Sequence, residues 1–506
     1  MPFQSLSAFT DLFTLLTSLT GEQEPCFLVG GAVRDALLGK PVHDLDFVRA
    51  GNVMSLARRF ADQLKGMFYP LDSERGTARV ILPGYHGDNL VIDFATFRGE
   101  TLEQDLSNRD FTINAIALDA SSTDTVIDPL NGAQNLKDKL LRACSESSMR
   151  DDPLRVMRGV RMALNFGLRI DPLTWQQMGE AAGGLNHVSA ERRRDEFFRI
   201  LEGGRVSTAL RLLDRINVLD EVIPEVKALQ GVGQSAPHIY DVWGHTLALV
   251  DALETLYDCL LGQRSDEDQL NLTLGYAVVQ LGRFQTKLID HFAKFLNPQR
   301  SAKALLKFAA LYHDCAKPQA RSVEEDGKVH FYQHEQYGAK VAADRGRKLA
   351  LSSDEITYLG EVISGHMRPH FMAKEDGLPG KRAIYRYFRD YGSTGVDIGM
   401  LALADRIATE GAQLSQTRWQ HEVDVVRALF ENYWDEHDCV VQPAALVNGQ
   451  ILMTEFGVEA GPRLGRLLEA IREAQACGEV STWDNALDFA RNWLSKEGDR
   501  DDGKTG

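Results

Sequence analysis

The sequence predicts an α+β chain in which a small mixed sheet with helices comes first and helical domains follow to the end. Three observations predict it. Apolar segments of strand length, Cys26 to Val29, Asp44 to Val48, Thr77 to Leu82 and Asn89 to Ala95, are confined to the early chain, where Gly84 to Gly87 reads as a turn and Asn52 to Leu64 as a helix. From Arg150 onward, apolar residues recur at helical spacing instead. Finally, 506 residues at 44% hydrophobic can bury several cores, and breaks in pattern divide the chain into 1–137, 138–235, 236–410 and 411–506.

Residues 1 to 20 read as a short amphipathic helix packed on the sheet. Next comes the stretch that organises the chain, Leu28 to Val48, LVGGAVRDALLGKPVHDLDFV. Its apolar run ends at Gly30 and Gly31, where backbone without Cβ turns tightly and brings N–H groups against an anion. The turn reads as a phosphate seat. Ala32 to Leu38 reads as a short helix closed by Gly39 and carrying Arg34 and Asp35. After Pro41, a strand begins in which alternate residues share a face, so Asp44 and Asp46 point the same way. Two such carboxylates repel unless a cation lies between them, and the pair reads as a Mg²⁺ site facing the glycine turn. Phosphate seat and metal pair together indicate nucleotide chemistry.

Composition narrows the setting. Cys26, Cys144, Cys259, Cys315, Cys439 and Cys477 show no C-x-x-C spacing, which argues against a disulfide framework or a cysteine zinc site. No stretch reaches the ~18 apolar residues of a membrane span, so a cytoplasmic protein without a membrane partner is expected. Against nucleic acid stands the net charge of −16. Phosphate affinity needs only a local basic stripe, however, and Arg150 to Arg161, Arg192 to Arg194 and Lys381 to Arg389 supply candidates.

The ordered set Gly30, Gly31, Arg34, Asp35, Leu38, Gly39, Asp44 and Asp46 resembles the signature of the class II tRNA nucleotidyltransferase and bacterial poly(A) polymerase family. That resemblance implies a polymerase-β-like head followed by all-α neck, HD and tail domains. It implies tRNA, CTP and ATP as partners rather than DNA, Asp44 and Asp46 as catalytic Mg²⁺ ligands, and Gly30, Gly31 and Arg34 as the triphosphate seat. Asp93, among Val91, Ile92 and Phe94, reads either as a third carboxylate near the metals or as a charge on an edge strand.

DLSNRDFTINAIAL, Asp105 to Leu118, resembles the family's RRDFTxNA motif, which implies ribose contact by Arg109 and Asp110 with Asn114 beside them. Asn108 departs from the motif's first Arg. Asp128, Pro129 and Gly132 match a structural DPxxG turn. Many CCA-adding members carry a long flexible segment between their ATFR-like strand and this motif, and it takes part in the switch from C to A addition. Here Phe97, Arg98 and Gly99 run almost directly into Asp105, which leaves CCA and CC-only addition both open.

In the neck, Asp152 with Pro153 starts a predicted helix, placing Asp152 and Arg155 one turn apart. A carboxylate accepts from the exocyclic amine of C or A while a guanidinium donates to the adjacent ring acceptor. Asp151, Asp152 and Arg155 resemble the family's base-reading motif; Arg158 joins the nucleotide-binding set, and Arg192 to Arg194 could touch triphosphate or RNA backbone.

Further on, adjacent His313 and Asp314 can supply a nitrogen and an oxygen to one divalent ion. His245, His313, Asp314 and Asp405 resemble the ligand set of the HD phosphohydrolases, with His334 and His366 where extended versions keep further ligands. This implies a transition metal or Mg²⁺ and a second, phosphoesterase activity, or else a retained RNA-binding module. In the tail, Gly461, Pro462 and Gly465 open a helix whose Arg463 and Arg466 could hold a tRNA phosphate, and Ser495 to Gly506 is expected to be disordered. Poly(A) polymerase action on RNA 3′ ends, or chiefly HD-type phosphodiesterase action, are the alternatives.

Overall fold

The computed structural model describes residues 4–20, 25–262, 272–297, 299–325 and 328–502. They form two compact units, Met1–Gly203 with Thr208–Val222, and Gly204–Ser207 with Ile223–Gly506.

The first unit is built on a seven-stranded mixed sheet: β1 (Phe27–Val29), β2 (Asp44–Arg49), β3 (Met67–Asp72), β4 (Thr77–Tyr85), β5 (Asp88–Thr96), β6 (Ala117–Asp119) and β7 (Ser122–Ile127), in the order β3-β4-β5-β2-β1-β6-β7. Only β2 and β5 pair in parallel, with Asp46 opposite Asp93. The expected alternation holds: Leu45 and Phe47 of β2 are buried with Leu28, Ile92 and Phe94 in one core, which leaves Asp44 and Asp46 on the opposite face. Phe94 stacks on Phe47 at 5.5 Å and meets Phe60 edge-on at 5.5 Å.

Three strands lack a clear sequence signal. The β3 edge strand contains Pro70 and exposes Met67, Tyr69 and Leu71, so it shows no buried alternation. At the other edge β6 has three residues and β7 is mostly polar. The single helix expected over residues 1 to 20 is a 3₁₀ turn, Gln4–Phe9, followed by a helix, Thr10–Thr20; residues 1–3 lie outside the described residues. The DPxxG turn is structural, as expected: the Asp128 carboxylate accepts from Gly132 N at 2.7 Å and Ala133 N at 2.9 Å, and a Cβ on Gly132 would lie 2.0 Å from the Thr112 carbonyl oxygen.

The neck helix begins later than predicted, at Leu154, and ends at Phe166. Asp152 lies before it in extended backbone, φ −146 and ψ 97, because the residue ahead of a proline is pushed out of the helical region.

The second unit is mostly helical. Five helices, Val242–Leu260, Ala302–Tyr312, His334–Lys348, Ser353–Gly365 and Thr394–Glu410, carry or flank the HD residues, beside a hairpin of Arg321–Val323 with Val329–Phe331. The tail has its own core, including Leu452, Leu467, Ile471 and Ala490. Disorder from Ser495 was the wrong expectation: the last helix runs Trp483–Asp502, and only residues 503–506 lie outside the described residues. Arg382, Arg386 and Arg389 do not form a free basic stripe either. They pair with Glu473 at 3.0 and 2.7 Å, Glu479 at 2.8 Å and Glu469 at 3.2 Å. Among the described residues, no helix is long and apolar enough to cross a membrane.

Candidate active site in the head and metal centre in the helical unit

Gly30 caps the helix Gly31–Leu37 with φ +75, where L side chains are strained, and a Cβ there would lie 3.1 Å from Asp46 Oδ2 and 3.5 Å from an Arg109 nitrogen. The glycine turn, the carboxylate and the guanidinium therefore converge on one spot. Burial pushes the Asp46 carboxyl up to about 6, with Arg109 opposing and Asp93 and Asp44 adding to the rise. Asp44 is also raised, by burial and then by Asp93. Neither carboxylate has a hydrogen bond to a side chain among the described residues. Two unpaired carboxylates on one face fit a hard divalent cation with oxygen ligands. Asp93 stands level with them in the β2–β5 register but is occupied: Arg79 holds it through two bonds of 2.8 Å.

Behind this spot runs one chain of hydrogen bonds. Arg34 is buried, donates to Asp35 at 2.9 Å and to Asn114 Oδ1 at 2.8 Å, and lies over the Phe166 ring. Asn114 Nδ2 donates to Asp110 Oδ1 at 3.0 Å, and Arg158 donates to Asp110 Oδ2 at 2.8 Å. Although burial alone would raise it, Arg158 and Asn114 bring the Asp110 carboxyl down to about 2. Arg109 is tied to Asp105 at 2.9 Å. The predicted set Arg34, Arg109, Asp110, Asn114 and Arg158 is thus assembled in one place, with most of its polar groups holding one another.

Asp152 and Arg155 are not side by side. Asp152 Oδ2 accepts from Arg192 at 2.7 Å, whereas Arg155 donates to the carbonyls of Arg109 at 3.2 Å, Ser148 at 3.0 Å and Asn108 at 2.9 Å. Pro153 separates the two by ending one helical turn and starting the next.

The segment before Asp105 is short and fastened. Arg98 N donates to Asp105 Oδ1 at 2.9 Å, Glu100 N to Gln104 Oε1 at 2.7 Å and Asn108 Nδ2 to the Arg98 carbonyl at 2.5 Å, while Thr101 caps the helix Leu102–Ser107. The residue that departs from the motif, Asn108, is one of the fastenings.

In the second unit all the predicted metal residues come together. His245, His313 and Asp314 present ligand atoms within 4.8 Å of one another, and so do Asp314, His334 and His366. Asp405 Oδ1 lies 3.0 Å from His245 Nε2. The hydrogen bonds decide what the imidazoles offer. His313, His334 and His366 direct Nδ1 at the carbonyls of Ala310 at 2.8 Å, Phe331 at 2.8 Å and Ile363 at 2.7 Å. A carbonyl only accepts, so each Nδ1 carries a proton and Nε2 is the nitrogen each ring turns inward. His334 and His366 then face each other Nε2 to Nε2 at 3.3 Å, as His245 and His313 do at 3.3 Å. Inward imidazole nitrogens grouped with carboxylate oxygens are a donor set that fits divalent metal, with Asp314 shared between the two groups. Burial, His313 and His334 bring the His366 imidazole down to about 3, which keeps it neutral.

Residues 26–142 match the poly(A) polymerase head domain, 167–230 a probable RNA and SrmB-binding site of polymerase A, 284–410 an HD domain and 400–490 a putative tRNA nucleotidyltransferase domain 2. An A-adding tRNA nucleotidyltransferase of Deinococcus radiodurans is 30% identical over 93% of this chain and 95% of its own length. The chain belongs to the tRNA nucleotidyltransferase family. A CC-adding tRNA nucleotidyltransferase of Thermus thermophilus is also 30% identical, over 92% and 93%. Solved CCA-adding enzymes share the fold: a complex with ATP has a TM-score of 0.61 at 22% identity over 96% of each chain, and a Thermotoga maritima enzyme complexed with tRNA has 0.58 at 22% over 96% and 95%.

For this nucleotidyltransferase, sequence reasoning overlooked two groups at the HD centre. His370 Nε2 lies 2.8 Å from Asp405 Oδ2, and its Nδ1 faces the buried Glu422. The spacing of His366 and His370, one helical turn apart, was an available signal; Glu422 had none.

Proposed function

We propose that this nucleotidyltransferase extends the 3′ end of tRNA with CTP and stops after CC. The observation that carries the stop is the fastened segment from Arg98 to Asn108, where many CCA-adding members have a long mobile one. Gly30 and Gly31 seat the triphosphate against the Asp46 end of the sheet, where Arg109 supplies positive charge. Arg34, Asn114, Asp110 and Arg158 brace that seat from behind, and Asp152 and Arg155 turn outward from their present partners to read the base. Asp44 and Asp46 would hold Mg²⁺, which would supply the charge that activates the 3′-hydroxyl and stabilises leaving pyrophosphate. Asp93 serves the site through Arg79, as a carboxylate whose charge is already balanced.

Incubating the purified chain with tRNA ending at the discriminator base, with CTP and ATP offered separately and together, tests this reading. Two cytidines and no adenosine are expected. Addition of A after CC makes it a CCA-adding enzyme, addition of A only to tRNA already ending in CC puts it with the Deinococcus relative, and repeated A on unrelated RNA makes it a poly(A) polymerase. Each of these outcomes refutes the proposal.

We also propose a second activity, supported by the grouped His and Asp ligand atoms: the HD centre binds divalent metal and hydrolyses a phosphodiester such as a 2′,3′-cyclic nucleotide. Hydrolysis dependent on added Mn²⁺ or Ni²⁺ and lost in Asp314→Ala supports it. Equal hydrolysis by both proteins refutes it.

A further inference from the structure

In the HD unit, His370 stands between two buried carboxylates, one against each ring nitrogen. Its Nε2 lies 2.8 Å from Asp405 Oδ2 and its Nδ1 meets Glu422 Oε1. Its Nε2 is taken up by Asp405 and its Nδ1 stands against Glu422, so neither is turned to the metal centre, whereas His313, His334 and His366 direct Nε2 inward. Glu422 is fully buried and also takes the Arg406 guanidinium, so the chain Arg406, Glu422, His370, Asp405 runs through the interior of the unit. It ends on the candidate ligand supplied by the helix Thr394–Glu410. With Oδ2 held by His370, the other oxygen, Oδ1, is left toward His245 at 3.0 Å, with Thr409 donating to it at 3.2 Å.

We propose that His370 and Glu422 are positioning residues of the HD metal centre: they lock the orientation of Asp405 so that one defined carboxylate oxygen faces the site. Three separate helices, Met367–Met372, Thr394–Glu410 and Gln416–Trp434, contribute to the chain, so a ligand from one helix is aligned by the packing of all three. The general physics is that of partners behind a metal ligand, whose loss costs about 10- to 100-fold in metal affinity. The proposal rests on the reading that the HD centre binds divalent metal.

The test is calorimetric titration of Mn²⁺ alone into the metal-stripped full chain, run beside tRNA extension by the head as a control for folding. His370→Ala is expected to bind Mn²⁺ about 10- to 100-fold more weakly with the same number of ions bound, and to extend tRNA as before. His370→Gln retains an amide donor for Asp405 and nearly the same volume; it is expected to recover most of the affinity. Glu422→Gln keeps the volume but removes the charge behind the ring, and is expected to fall between them. Unchanged affinity in all three variants overturns the proposal. Loss of one bound ion in His370→Ala makes His370 a ligand and overturns it as well. If the unmodified chain binds no Mn²⁺, the metal reading itself falls and takes this one with it, an outcome distinct from equal binding by wild type and variants.

Discussion

In the head, Asp44 and Asp46 stand on one strand face with no side-chain hydrogen bond among the described residues, and burial, with Asp93 nearby, raises both carboxyls. In the HD unit, Asp314 and Asp405 are more deeply buried yet held well below the usual carboxylate range. Burial there is overcome by His313 and Lys317 for Asp314, and by His245 and His370 for Asp405. The first site leaves its negative charge for a bound cation to balance, whereas the second carries positive or proton-donating partners of its own. The difference teaches that Asp46 lacks a hydrogen-bonded cation among the described residues while Asp314 has Lys317 at 2.6 Å, so neutralising one carboxylate in each has opposite effects on stability.

Asp46→Asn is the largest expected effect. Losing several kcal/mol of charge stabilisation slows nucleotide addition by roughly 10³-fold or more. A carboxyl with a folded value near 6 against an ordinary 3.8 binds its proton more tightly in the folded state, so it loses stability as pH rises from 3.8 through 6. The inactive Asp46→Asn chain, in EDTA at pH 7, is therefore expected to be more stable by roughly 1 to 2 kcal/mol in urea unfolding of the head. Lower stability breaks the comparison.

Asp314→Asn is expected to do the reverse. It removes the negative charge beside the buried Lys317 ammonium, 2.6 Å away, leaving that cation without its counter-charge. The HD unit should lose roughly 3 kcal/mol along with its metal binding, while tRNA extension persists.

The contrast also explains what was legible beforehand. Asp44 and Asp46 share a face by strand alternation, and Gly30 ends an apolar run; both signals are local. The adjacency of His313 and Asp314 was visible for the same reason. The fate of the arginines was not, because their partners are remote: Arg158 binds Asp110, 48 residues away, and Arg192 binds Asp152, 40 residues away. Asp152 and Arg155 looked like neighbours only while Pro153 was taken as the start of one continuous helix. His370 was overlooked one helical turn from His366, and its role depends on remote partners: its Nε2 meets Asp405, 35 residues away.

A smaller effect belongs to Asp110, a buried head carboxylate with HD-like internal pairing. Its folded value near 2 lies below the ordinary 3.8, so its contribution is fully present above about pH 4 and disappears as pH falls toward 2. Asp110→Asn is expected to cost roughly 2 kcal/mol at neutral pH and almost nothing near pH 2. Urea unfolding of the head at the two pH values checks it.

The smallest effect concerns the tail. Arg386 is half exposed and donates to both oxygens of Glu473, at 2.8 and 2.7 Å. An exposed pair of this kind contributes up to about 1 kcal/mol, so Arg386→Ala should barely loosen the helix Pro462–Ala476 in hydrogen exchange. Its sharper readout is salt. An arginine that neutralises an RNA phosphate adds about one to the slope of log affinity against log salt. Because Glu473 already balances Arg386, the slope for tRNA binding is expected to be the same in wild type and Arg386→Ala. A slope reduced by about one would mean that this guanidinium leaves Glu473 for phosphate, and that the tail, like the head, holds charge in reserve for its substrate.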